Sequence, residues 1–292
     1  MRILKIDDTD GVIANKDIIR EKIRKSEINI TFSDENQNIN VVNFLKSPFL
    51  NESIVNSKII NSSIGYFYLD GFSGGNITVN QIKKMFDNFK LNNIKELIVD
   101  LRYNSGGDAF LAHQLANYIV PLSENHKMFF RFINNKKYST LNYSLYLEAK
   151  SENLNLERVF FITSPESESS NETLINSLQA VMQVKVVGTQ SHGKPFGFLP
   201  IAIGDFYIFP VAFTTINANG YGEYYDGIPV DFEVEDDVTH DFGDPDESCV
   251  QSILKYISSG QFPTSGKKGG RQNIERFSIN ENQIPAFMYI SH

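Results

Sequence analysis

A serine that follows a buried strand and opens a helix is a candidate nucleophile. The segment RVFFITSPESESSNETLINSLQ, residues 158–179, has that form. Apolar Val159 to Ile162 run into a knot of serines and glutamates, and Leu174, Ile175 and Leu178 then repeat at the spacing of a helix with one apolar face. A hydroxyl at such a turn lies beside the backbone N–H groups of the helix start, where the helix dipole favours an oxyanion. Capping chemistry competes with this reading. Ser169 with Glu172 satisfies the S-x-x-E capping box, in which the serine only ends a helix.

Two further stretches pair able residues with loops. In LIVDLRYNSGGDAFLAHQL, residues 97–115, an apolar run leads to Asp100 and Arg102, then to Asn104, Ser105, Gly106 and Gly107 before a helix. Paired glycines permit positive φ and let backbone N–H groups face a cavity. The bare segment also reads as an ordinary strand-to-helix turn, and it meets neither the Walker nor the dinucleotide spacing. In VKVVGTQSHGKPFGF, residues 184–198, Lys194 sits in a Gly-Lys-Pro turn after a strand. Ser191 and Lys194 spell S-x-x-K, but that chemistry needs a helical turn, and Gly193 and Pro195 flank the lysine.

The elements that must position these residues fall into three parts. Residues 1–48 read as a strand (RILKID), a turn, a helix with Asn15 as its cap, and a hairpin over residues 27–46, which together make a thin core. Residues 49–260 are the main domain. From residue 58 strands alternate with helices, and continuous Val/Ile/Leu runs predict an α/β fold with a largely parallel sheet covered by helices on both faces. In such sheets sites gather where strands end and the next loop turns into a helix. Residues 261–292 read as a Gly/Ser/Lys linker and a loosely packed tail.

Composition excludes several classes of function. The chain has 292 residues, of which 41% are hydrophobic, enough to build a core. A net charge of −8 argues against a nucleic-acid partner. Cys249 is the sole cysteine, so neither an intramolecular disulfide nor a Cys-based zinc site is expected, and a buried structural thiol is. No cofactor or metal is expected. The acidic VEDDVTHDFGDPDE fits no EF-hand spacing and reads as a solvated loop. No run of ~18 apolar residues suggests a membrane span, and the N-terminus lacks a signal-peptide pattern.

Taken together, the three stretches resemble the C-terminal processing, or tail-specific, serine peptidases and their tricorn-like relatives. That family carries DLRxNxGG, SAxE and GxxTxGK motifs. Here they stand as Asp100-Leu101-Arg102-Tyr103-Asn104-Ser105-Gly106-Gly107, Ser169-Ser170-Asn171-Glu172 and Gly188-Thr189-Gln190-Ser191-His192-Gly193-Lys194. Lys194 follows Ser169 by 25 positions (from 169 to 194), which is the family spacing. The resemblance spans roughly residues 58–258 and implies a crotonase/ClpP-like sheet. Residues 1–48 resemble the second half of a PDZ domain, without the carboxylate-binding loop. Two departures stand out: Ser170 replaces the usual Ala, and Phe198 lies where the processing proteases often carry Gln. The Gly-Lys-Pro variant resembles a subgroup found among exported bacterial proteins.

The resemblance implies a serine endopeptidase or carboxy-terminal processing peptidase acting on unfolded or flexible polypeptide through a Ser/Lys dyad. Ser169 would attack, Lys194 would take and return the proton, and the N–H groups of Ser170 and of Gly106 or Gly107 would hold the oxyanion. Asp100, Arg102 and Glu172 would hold the loops. A lysine serves as a base near neutral pH only when its pKa falls well below ~10.4, which an apolar pocket can achieve; Phe196, Phe198 and residues 184–187 are the candidate walls. Ser167 is the rival nucleophile and His192 the alternative base, while the other histidines read as ordinary residues. A peptide- or ligand-binding relative of the same fold, or a small-molecule ester or amide hydrolase, are the alternative functions. An extracytoplasmic bacterial location follows from the resemblance alone.

Overall fold

The computed structural model describes residues 2–34, 36–46, 53–204 and 206–264, which fall into two compact units. The first unit contains β1 (Arg2–Ile6), β2 (Thr9–Asp10), α1 (Lys16–Ile23), β3 (Glu27–Ser33) and β4 (Ile39–Leu45), with antiparallel sheet order β2-β1-β3-β4. The expected hairpin is β3–β4, in register from Glu27 opposite Leu45 to Ser33 opposite Ile39. Asp34 closes its turn by accepting from the backbone N–H of Asn36 at 2.9 Å and of Asn38 at 2.8 Å. Asn15 occupies the N-cap position of α1, but its side-chain amide donates to the carbonyl of Asp10 at 3.0 Å and makes no cap hydrogen bond. Among the described residues of this unit, Ile6, Ile19 and Ile28 are the buried apolar ones.

The second unit starts with β5 (Ile54–Ile60), β6 (Ile64–Leu69), α2 (Asn76–Leu91), β7 (Glu96–Asp100) and α3 (Ala109–Ile119). It continues through β8 (Met128–Asn134), β9 (Tyr143–Tyr146), β10 (Arg158–Thr163), α4 (Ser170–Gln179) and β11 (Gln183–Gly188). Last come β12 (Phe196–Phe198), β13 (Ile201–Ile203), β14 (Phe206–Ile208), β15 (Val211–Asn217), β16 (Phe232–Glu233) and α5 (Ser248–Ser259). The central sheet has the order β16-β11-β10-β7-β6-β5 and is parallel except where β5 meets β6. The alternation expected over β6 to β11 is thus present, and the fold is mixed α/β.

Both faces of this sheet are buried, which is why its strands read as unbroken apolar runs. Phe67, Leu97, Val99, Val159 and Phe161 point to the face that carries α2, α3 and α4. Tyr66, Ile98, Phe160, Ile162 and Val187 point to the other, against Val250 and Ile253 of α5. Each such fully buried side chain contributes about 1.5–3 kcal/mol.

The strands over residues 128–134 and 206–217 do not extend the parallel sheet. β8 and β15 join β12 and β9 in a separate antiparallel sheet, order β12-β15-β8-β9, and β14 pairs with β13. Hydrophobic runs locate strands but carry no information about their partners. Of the expected linker and tail, residues 265–292 lie outside the described residues.

Candidate active site

β10 ends at Thr163 and α4 begins at Ser170, so Ser169 holds the turn between a central strand and a helix. Its backbone sits at φ 60°, ψ −113°, a region that a residue with a Cβ rarely enters. Such a turn aims the side chain away from the helix axis and toward the carboxyl end of the sheet. The Glu172 half of the capping box is formed, since the Ser169 N–H donates to Glu172 Oε2 at 3.0 Å. The remaining serines of the knot are engaged elsewhere. Ser167 is fully buried, and its hydroxyl donates to the Leu101 carbonyl at 2.7 Å while accepting from the Ser164 N–H. Ser170 Oγ donates to the Gly107 carbonyl at 2.6 Å.

The glycine loop after β7 packs directly against this turn. Gly106 has φ +91°, and a Cβ built there would lie 2.8 Å from Ser169 Cβ and from the Glu168 carbonyl oxygen. Gly107 has φ +133°, and a Cβ there would lie 2.2 Å from the Phe72 carbonyl. Only glycine tolerates both the dihedral and the approach. The two glycines differ in what they can offer a ligand. The Gly106 N–H already donates to Asn104 Oδ1 at 2.8 Å. The Gly107 and Ser170 N–H groups make no hydrogen bond to any described residue.

Lys194 lies in the irregular segment between β11 and β12, and Glu172 fixes that segment. The Glu172 carboxylate is fully buried and accepts from the Ser191 hydroxyl at 2.6 Å, the Gly193 N–H at 2.6 Å and the Lys194 N–H at 2.8 Å, besides Ser169. At the third position of α4 it also faces the positive end of the helix dipole. The Lys194 side chain is mostly buried, with Nζ 5.3 Å from the centre of the Phe198 ring and 3.6 Å from Glu168 Oε1. No hydrogen bond joins Nζ to Ser169 Oγ in this arrangement. His192 is largely exposed; its Nδ1 lies 3.3 Å from the Pro165 carbonyl and its Nε2 3.7 Å from Glu168 Oε2.

Asp100 and Arg102 lie beneath the glycine loop in a buried ionic cluster. The Arg102 guanidinium pairs with Asp100 at 2.6 Å, with Glu247 at 2.9 Å, and with Asp236. Tyr66 donates its hydroxyl to Asp100 at 2.7 Å, and the Phe242 ring covers the guanidinium at 5.2 Å. The cluster joins the end of β7 to the N-cap of α5, where Glu247 also accepts from the N–H groups of Cys249 and Val250.

The structure therefore gathers Ser169, Ser170, Gly106, Gly107, Glu172 and the Lys194 loop in one place and sets Asp100 and Arg102 behind them. Two participants, Glu168 and Glu247, were missed from the sequence, and a third, Ser191, was weighed there only for the S-x-x-K pattern. Glu168 lies beside Lys194 and His192. Ser191 is 5% exposed and relays Glu172 to the next loop by accepting from the Ile228 N–H at 2.7 Å. Glu247 shares Arg102; it closes the acidic segment 234–247 expected to be a solvated loop, where it is instead buried and, with Asp236, pairs with the guanidinium.

The model of peptidase family S41 matches residues 63–234, a span that includes every residue of the site from Gly106 to Lys194. A search of curated proteins finds no match. Among solved structures, a Bacteroides fragilis NCTC 9343 protein assigned to the S41 proteases superposes with a TM-score of 0.75 at 21% identity, over 89% of this chain and 73% of that one. The photosystem II D1 C-terminal processing protease superposes at 0.54 with 13% identity, covering 80% of this chain and 62% of its own. A Parabacteroides merdae protein assigned to the peptidases gives 0.50 at 22% identity, over 70% and 60%. These likenesses concern the fold; the family model covers more than half of the chain, and the chain belongs to peptidase family S41, the serine-type peptidases.

Proposed function

We propose that this serine-type peptidase cleaves unfolded or flexible polypeptide, in the manner of a C-terminal processing peptidase, with Ser169 and Lys194 as its dyad. The observation that carries the reading is the strained Ser169 turn (φ 60°, ψ −113°), with the uncommitted N–H groups of Ser170 and Gly107 on either side.

Ser169 Oγ attacks the scissile carbonyl carbon and passes its proton to a neutral Lys194 Nζ. The carbonyl electron pair moves to oxygen, where the Ser170 and Gly107 N–H groups stabilise it; one such donor is worth ~10²–10³ in rate. Collapse breaks the C–N bond, Lys194 returns the proton to the departing amine, and water then hydrolyses the acyl-enzyme. Glu172 holds the lysine backbone, and the Lys194 side chain delivers Nζ to Ser169 through its flexible stem.

Cleavage of casein by the wild type, Ser169→Ala and Lys194→Ala, from neutral to alkaline pH, tests the reading. Loss of activity in both variants, with intact folding, is the expected result. Activity retained by Lys194→Ala but lost in Ser169→Ala would transfer the base to His192. A wild type inert toward polypeptide but active on small esters would instead favour a small-molecule hydrolase. The kinship of the first unit with half a PDZ domain, the Gly-Lys-Pro subgroup and an extracytoplasmic site of action stand as further proposals from the sequence resemblance.

A further inference from the structure

Glu168 directly precedes the nucleophile, and no step of the mechanism above uses it. Its backbone is held on both sides: the N–H donates to the Asn104 carbonyl at 3.3 Å, and the carbonyl accepts from Asn171 Nδ2 at 3.0 Å. The side chain, 21% exposed, reaches across to the lysine loop. There Oε1 lies 3.6 Å from Lys194 Nζ and Oε2 lies 3.7 Å from His192 Nε2. The neighbouring carboxylates Glu166 and Glu172 have other partners. Glu166 binds the Ser164 hydroxyl at 2.8 Å, and the Glu172 carboxylate is occupied by backbone N–H groups and Ser191. From the facing loop at residues 225–228, the backbone carbonyl of Asp226 accepts from the Gln190 amide, and among the described residues no ion pair joins the Asp226 carboxylate to Lys194. Glu168 is thus the carboxylate that meets the lysine head group.

We propose that Glu168 is a positioning residue that parks the Lys194 ammonium away from Ser169, so that the dyad assembles only after the lysine has lost its proton. The inference rests on the Ser/Lys reading. Attraction between Glu168 and Lys194 exists only while the lysine is charged, and a charged lysine cannot accept the serine proton. Once neutral, the amine has no ion pair to leave, and its stem is free to turn toward Ser169. The carboxylate therefore sets the pH at which activity appears. His192 shares the same carboxylate, so it tunes the pairing without being the base.

The test is the pH profile of kcat/KM for a fluorogenic peptide cut by the wild type, Glu168→Gln, Glu168→Asp and His192→Asn. Thermal melting of each variant and labelling of Ser169 by a fluorophosphonate accompany it. Glu168→Gln is expected to raise kcat/KM by roughly tenfold on the rising limb, with little change on the alkaline plateau. Glu168→Asp, which keeps the charge on a shorter stem, is expected to fall between the two. Because the pair is partly exposed, added salt should move the wild-type limb toward that of Glu168→Gln and leave the variant unmoved. Superimposable limbs, an even loss of activity at every pH, or a limb that follows His192→Asn and not Glu168→Gln would each overturn the proposal. Retained activity in Lys194→Ala would instead overturn the dyad itself, so the two failures are distinguishable.

Discussion

Ser169 and Lys194 hang from one oxygen atom: the backbone N–H groups of both donate to Oε2 of Glu172, at 3.0 Å and 2.8 Å. Ser169 comes from the β10–α4 turn and Lys194 from the loop after β11, so their separation depends on this buried carboxylate. Its other oxygen takes Gly193 and Ser191. All four partners are donors, and a carboxylate is the one side-chain group that offers only acceptors.

Glu172→Gln should therefore be costly despite its near-identical shape. The new amide nitrogen would face N–H or hydroxyl donors and leave at least one of them unsatisfied. A loss of about 2–4 kcal/mol in stability is expected. A shift of about 1 Å between the two loops suffices for a loss of about 10²-fold in rate. Urea unfolding and kcat/KM of the same preparation measure the two effects. A variant as active as the wild type would show that the loops are held by other contacts.

Gly106→Ala tests the contact between the glycine loop and Ser169. The added methyl would start 2.8 Å from Ser169 Cβ at a φ of +91°, so either the loop or the Ser169 turn must yield. The fold is held by the sheet and should survive. The acylation rate of Ser169 by a fluorophosphonate should fall by about 10²-fold. Ser105→Ala, at the exposed neighbouring position, should leave that rate unchanged.

Where sequence reasoning reached this site, it worked through local pattern. Val159 to Ile162 announced a buried strand, Leu174, Ile175 and Leu178 a helix, and the turn between them is fixed by covalent continuity. Joining Ser169 to Lys194 required the family spacing, because no local rule says which loops of a sheet meet. The same limit applies to β8 and β15, whose apolar runs were legible while their pairing was not. Glu168 was invisible for another reason: a glutamate in a polar knot looks solvated until the lysine loop is laid against it. Gly106 and Gly107 read as equivalent donors, and only the bond from Gly106 to Asn104 separates them.

The Arg102 cluster predicts a large cost for a single change away from the chemistry. Arg102→Met would leave Asp100, Asp236 and Glu247 packed together without their cation. Breaking a buried ion pair from one side costs about 3–5 kcal/mol. Arg102→Lys should recover part of this, since one ammonium cannot span three carboxylates as the guanidinium fork does. Urea midpoints of the two variants give the comparison, and equal midpoints for wild type and Arg102→Met would remove the cluster from the account of stability.

Alkaline pH should unfold this protein through groups that hold their protons only when folded. Burial, reinforced by the neighbouring Glu247 carboxylate, pushes the Cys249 thiol well up. Burial and then the Asp100 carboxylate raise the Tyr66 phenol, and burial pushes Tyr224 up to about 12 against the hydroxyls of Thr173 and Thr215. For each group the folded value exceeds the unfolded one, so the unfolded chain releases protons that the native chain keeps. Stability is therefore complete below the unfolded values and declines as pH rises above them. The decline should begin near pH ~8.5 with Cys249 and steepen beyond pH ~10 as the two tyrosines join. Cys249→Ala, whatever its stability at neutral pH, should flatten the first part of that slope and leave the second. Urea unfolding free energies measured across this range decide it, and an unchanged slope in Cys249→Ala would assign the alkaline loss to the tyrosines alone.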